Sequence, residues 1–84
     1  MRLEDIKYDI FNRVKELLPA SEVKVVWNDT DNEINAIEIH TPYKVISLDS
    51  IKLFCDKYQE ASKGKIKAFI EANDDRLVII LTYS

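Results

Sequence analysis

The sequence predicts an α+β domain of two layers: two helices on one face of a four-stranded antiparallel sheet, in the order α-β-β-α-β-β. Apolar residues recur at helical spacing over residues 3–18 and 48–58, and alternate at period two over 23–39 and 66–83. Clusters of Asn, Asp and Thr separate the members of each alternating pair, where hairpin turns belong. Each amphipathic element has one apolar side to bury, and two helices against one sheet bury them all.

In the first helix Leu3, Ile6, Ile10, Phe11, Val14, Leu17 and Leu18 form the apolar stripe. Glu4, Asp5, Lys7, Asp9, Asn12, Arg13, Lys15 and Glu16 lie between them as the solvated side. Acids crowd the first turn, where free amide groups favour negative charge. Pro19 stops the helix because it lacks an N–H donor and restricts the residue before it.

In EVKVVWN, Val23, Val25 and Trp27 point one way, and Glu22, Lys24, Val26 and Asn28 the other. Setting Asn28 opposite Ile34 brings Val25 to Ile37, Val23 to Ile39 and Lys24 to Glu38. That register aligns the apolar rows and pairs opposite charges. TPYKVI extends or bends the second strand. Ser47 is the expected N-cap of the second helix, with Asp49 in its first turn. Leu48, Ile51, Phe54, Cys55 and Tyr58 form its buried stripe, and Leu53 points away. Gly64, the only glycine, is placed to end that helix with positive φ.

The closing segment KIKAFIEANDDRLVIILTYS reads as a hairpin around Asp74–Asp75. Ala72 opposes Leu77, Ile70 opposes Ile79, Ala68 opposes Leu81 and Ile66 opposes Tyr83, all on one face. A longer loop over Asn73–Arg76 preserves the same pairing. The order of elements suits a circularly permuted ferredoxin-like topology, which places the final hairpin partly inside the sheet, as the apolar run LVIIL asks. That likeness concerns the fold and assigns no function.

The chain reads as a single domain, residues 1–84, with too few residues for a second core. One glycine and two prolines leave no room for a linker or a phosphate-cradling loop. The lone Cys55 has no internal disulfide partner, which suits a reducing, cytoplasmic setting. The start MRLEDIKYD carries acids where a signal peptide is basic, and no apolar run has membrane-spanning length.

No catalytic, cofactor or metal site is expected. Asp29, Asp31 and Glu33 alternate like calcium ligands, but a calcium loop starting at Asp29 needs a glycine and an acid where Ile34 and His40 stand. A hairpin turn explains the same residues. His40 is assigned to the outer face opposite Glu22, and Cys55 to the buried stripe of the second helix, so they form no nucleophile–base pair. The carboxylates fall on helix faces and loops, without an opposed pair across a pocket.

Two surfaces remain as candidates. With both helices on the Val25–Ile37–Ile70–Ile79 side, the other face carries Val26, Ile34, Phe69, Val78 and Ile80, more apolar surface than an open sheet normally shows water. This favours a noncovalent interaction module that binds a protein partner or a second copy of itself, as a homodimer, inhibitor, adaptor or regulatory subunit. The alternative is nucleic-acid binding, or docking of an acidic partner, through Lys44, Lys63, Lys65 and Lys67. Residues 43–70 hold six lysines against three acids, whereas residues 1–42 hold five basic and nine acidic side chains. An overall charge of −3 and the absence of arginine or an aromatic ladder in KGKIK weigh against nucleic acid.

Overall fold

The computed structural model describes residues 2–30 and 32–84. Met1 and Asp31 lie outside the described residues, so the expectation about the alternating acids is followed at Asp29 and Glu33 alone. The elements are α1 (Leu3–Leu17), β1 (Glu22–Trp27), β2 (Ile34–Pro42), a 3-10 turn (Tyr43–Val45), α2 (Leu48–Ala61), β3 (Ile66–Ala72) and β4 (Arg76–Tyr83). The strands form one antiparallel sheet in the order β1-β2-β4-β3. Placing β4 inside puts the most continuously apolar strand between two neighbours and leaves β1 and β3 at the edges, the arrangement a permuted ferredoxin-like connection requires.

Both helices bury their stripes on the same side of the sheet. Leu3, Ile6, Ile10, Val14 and Leu18 meet Ile51, Phe54, Cys55 and Tyr58 over Ile37, Ile39, Ile66, Ile79 and Leu81. Phe54 and Tyr58 pack edge to face, with ring centroids 5.2 Å apart. The Tyr58 hydroxyl donates to Asp9 Oδ2 at 2.7 Å, joining α2 to α1. Loss of solvent, followed by that bond to a carboxylate, raises the phenol's pKa. Nearby on α1 the Lys7 ammonium stands 5.4 Å from the Trp27 ring centroid, a cation–π contact tying helix to strand.

The expected helix signals are present. Ser47 Oγ accepts from the Ser50 N–H at 3.3 Å, and Leu53 is exposed. Lys63 and Gly64 both adopt positive φ (56° and 82°), and the Gly64 N–H closes the helix end on the Gln59 carbonyl at 2.8 Å. The β3–β4 register is the one the sequence implies, from Ile66↔Tyr83 to Ala72↔Leu77. The Asn73 N–H donates to the Arg76 carbonyl at 2.9 Å across Asp74–Asp75.

The first hairpin departs from expectation at one residue. Val23↔Ile39, Lys24↔Glu38 and Val25↔Ile37 pair as foreseen, but Trp27, not Asn28, lies opposite Ile34. The register slips between Val26↔Ala36 and Trp27↔Ile34, leaving Asn35 as the extra residue of a β-bulge. One inserted residue reverses the side-chain alternation, so Ile34 turns inward and joins the core. The expectation that Ile34 faces outward is thereby corrected.

A second departure concerns coverage. The sequence pattern puts Leu48 in the buried stripe of α2 and Ile70 on the helix-covered face of the sheet, yet they are 75% and 57% exposed. Strand β3 is an edge, and α2 shelters only its first half: Ser62 Oγ and Gln59 Oε1 accept from the Ile66 and Ala68 N–H groups at 2.8 and 3.2 Å. Leu48, at the opposite end of α2, overhangs the unsheltered half.

Candidate protein-association surface

The two hairpins give the helix-free face three transverse rows. Glu22, His40, Val78 and Glu71 form the first; Lys24, Glu38, Ile80 and Phe69 the second; Val26, Ala36, Thr82 and Lys67 the third. Read across the rows, the face is mostly polar, as an open sheet exposed to water requires. The apolar exception sits at one side, where Phe69 on the edge strand is 53% exposed beside the partly exposed Ile80 on β4.

The five apolar residues expected here therefore divide. Phe69 and Ile80 form an adjacent pair. Val26 is exposed but stands at the opposite edge, separated from Lys67 in its row by Ala36 and Thr82. Val78 faces outward yet is only 3% exposed, because His40 and Glu71 flank it on the adjoining strands. Its expected exposure is corrected for that reason. Ile34, moved inward by the bulge, leaves the face altogether.

What sequence patterning alone missed is that the apolar surface continues around the β3 edge. On the helix side a groove of about 320 Å3 is lined by Leu48, Ile51, Cys55, Ala68 and Ile70 together with the polar Lys52, Asp56 and Gln59. Its floor is the small side chain of Ala68, with Ile70 and Leu48 beside it. The Ser84 N–H donates to the Lys65 carbonyl and the Asn73 N–H to the Arg76 carbonyl. Alternation between those bonds turns the main-chain groups of Lys67, Phe69 and Glu71 toward β4, and those of Ile66, Ala68, Ile70 and Ala72 toward open space. Ser62 and Gln59 occupy the N–H groups of Ile66 and Ala68, leaving the Ile70–Ala72 half of the edge open. Opposite charges, Lys67 and Glu71, flank Phe69 on its own face.

The lysine candidates are spread. The Tyr43 hydroxyl donates to the Asn73 carbonyl, which sets Lys44 beside the β3–β4 turn. Lys63 and Lys65 precede the other end of β3, about 20 Å away at roughly 3.3 Å per strand residue. Lys67 belongs to the outer face, so the four side chains do not converge on one phosphate-binding groove.

His40 and Cys55 lie on opposite sides of the sheet. His40 Nε2 is 2.9 Å from Glu38 Oε1, and Nδ1 is buried without a hydrogen-bond partner among the described residues. The ring lines a shallow cleft with Ala20, Glu22, Pro42, Asp75 and Arg76. Desolvation, with a smaller contribution from Asp56, pushes the Cys55 thiol up to about 11, which keeps it protonated and poorly nucleophilic at neutral pH. Among the described residues no three His, Cys, Asp or Glu side chains converge to hold a metal ion. No described helix is long and apolar enough to cross a membrane.

Comparison with protein-family models, curated proteins and solved structures finds no match.

Proposed function

We propose that this chain is a noncovalent protein-association module, acting as one half of a homodimer or as an inhibitor, adaptor or regulatory subunit. Its contact surface is the Phe69–Ile80 pair at the β3 side of the helix-free face. One observation carries the reading: an aromatic ring 53% exposed on an edge strand, next to a second apolar side chain and between opposite charges. Burying Phe69 and Ile80 supplies affinity, while Lys67 and Glu71 select the partner and its orientation. The chain acts without catalysis or a cofactor, in a reducing, cytoplasmic compartment that suits its single buried thiol.

Affinity capture from source-cell extract tests this, using the native chain, Phe69→Asp with Ile80→Asp, and Leu53→Asp as a control on the exposed side of α2. A bound protein, whether a second copy or another chain, should be retained by the native and Leu53→Asp forms and lost by the double variant. Equal recovery by all three overturns the assignment to this surface.

A further inference from the structure

We infer that the surface takes a second copy of this chain, joined edge to edge by antiparallel pairing of β3 with β3 about a two-fold axis at Phe69. The inference rests on the reading of Phe69 and Ile80 as an association surface, and it names the partner and the register.

Three observations on β3 agree on that register. The first is charge. In Lys67-Ala68-Phe69-Ile70-Glu71, the lysine and the glutamate stand two residues either side of the phenylalanine. Antiparallel pairing with Phe69 opposite Phe69 therefore sets Lys67 of each copy against Glu71 of the other. Shifting the register by two residues in one direction sets Glu71 against Phe69, and by four sets Glu71 against Glu71; shifting it by two in the other direction sets Lys67 against Phe69 and pairs Glu71 only with Lys65, which lies outside the strand. Only the Phe69-centred register satisfies both charges twice.

The second is the main chain. The groups of Ala68 and Ile70 point away from β4, and in this register Ala68 of one copy lies opposite Ile70 of the other. They exchange N–H···O=C bonds in both directions, satisfying the open Ile70 amide. The Ala68 N–H exchanges its 3.2 Å bond to the Gln59 side chain for a main-chain carbonyl. Phe69–Phe69 and Lys67–Glu71 become non-hydrogen-bonded pairs, the class in which facing side chains approach most closely.

The third is shape. Ile70, 57% exposed, falls opposite Ala68 of the second copy. The groove floored by Ala68 and walled by Leu48, Ile51 and Cys55 lies on the same side of the sheet as the incoming Ile70. Each copy thus offers an isoleucine and a small-floored groove to receive one, the reciprocity an isologous interface demands. The result is one continuous eight-stranded sheet with all four helices on one face and the two Phe69 rings at the centre of the other.

Sedimentation equilibrium of the native chain, Lys67→Glu, Glu71→Lys, the double exchange Lys67→Glu with Glu71→Lys, and an equimolar mixture of the two single variants tests this. Each single variant turns both charge pairs repulsive and should weaken dimerisation roughly tenfold or more. The double exchange and the mixture both restore opposite charges and should recover association. Both substituted positions are exposed, and circular dichroism establishes that each variant is folded. A native chain monomeric at about 100 μM, or a dimer indifferent to the single reversals, overturns the inference. In either case, capture of a different protein that still depends on Phe69 and Ile80 leaves the association reading standing, whereas loss of that dependence removes both.

Discussion

Replacing Ile34 by Ala tests the β-bulge, the feature on which the inner and outer faces of the first hairpin are sorted. Regular alternation would put Ile34 outside with Ile80; Asn35 as an inserted residue puts it inside, 7% exposed and in the same cluster as Leu3. Truncation to Ala removes roughly three carbon groups, about 2.4 kcal/mol at ~0.8 kcal/mol per buried group. A cavity adds to this, partly offset because Ile34 lies at the end of its strand where neighbours can settle, so the cost should be about 2–3 kcal/mol. With a urea slope of about 1–1.5 kcal/mol/M for a domain this small, the midpoint should fall by about 2 M. Ile80→Ala removes the same atoms from the outer face and should cost about 1 kcal/mol or less. Deleting Asn35 removes the bulge yet leaves Ile34 two places from Ile37, still on the core side and opposite Trp27, so it should cost less than Ile34→Ala. The assay is urea unfolding followed by circular dichroism at low micromolar concentration. An Ile34→Ala cost no greater than that of Ile80→Ala, or a deletion of Asn35 costlier than Ile34→Ala, would refute the inward assignment.

Two further expectations concern the helix layer. Tyr58→Phe keeps the ring against Phe54 but deletes the 2.7 Å bond to Asp9, and should cost about 1–2 kcal/mol in the same assay because Asp9 is exposed and can be rehydrated; an unchanged midpoint would show that the bond adds no net stability. For Cys55, the folded thiol ionises near 11 against 9.0 for its ordinary value, so the unfolded chain releases its proton first as the pH rises. The resulting stability is fully present below about pH 9 and is lost progressively toward pH 11, so native stability should fall more steeply over that window than that of Cys55→Ala. Parallel pH profiles for the two chains would contradict the burial-driven shift.

The parts of this fold legible in the sequence are those with many residues agreeing on one answer. The β3–β4 register follows from four apolar pairs that any slip would break, and α2 from a stripe with a serine cap before it and a glycine behind. The bulge was not legible because an extra Asn35 near the start of the strand breaks no apolar pair except the last, so both registers account for Val23, Val25, Ile37 and Ile39 alike. Coverage was not legible either. Ile70 alternates correctly with Ile66 and Ala68, but whether a helix lies above it depends on where α2 begins relative to the sheet edge. The candidate surface shows the same division: Phe69 and Ile80 were readable from alternation, whereas the groove joining Leu48 to Ile70 depends on strand order.

An open edge strand is a hazard, and charges beside an exposed aromatic usually serve to keep other strands away. The pattern on β3 decides between protection and recruitment. Two lysines flanking Phe69 would repel a second copy in every antiparallel register near the centre, and so would two glutamates. Lys67 and Glu71 do the reverse when placed symmetrically about Phe69, since antiparallel pairing brings each onto its opposite. The same charges disfavour displacement in one direction, in which Glu71 meets Phe69 or another Glu71, and in the other leave Lys67 against Phe69. Ser62 and Gln59 occupy the amides at the Ile66 end, which limits how far a foreign strand can extend along this edge. A matched second copy displaces Gln59 from Ala68 and leaves Ser62 on Ile66, so the pairing stays centred on Phe69 and is selected by charge, which separates a defined dimer from an aggregation-prone strand.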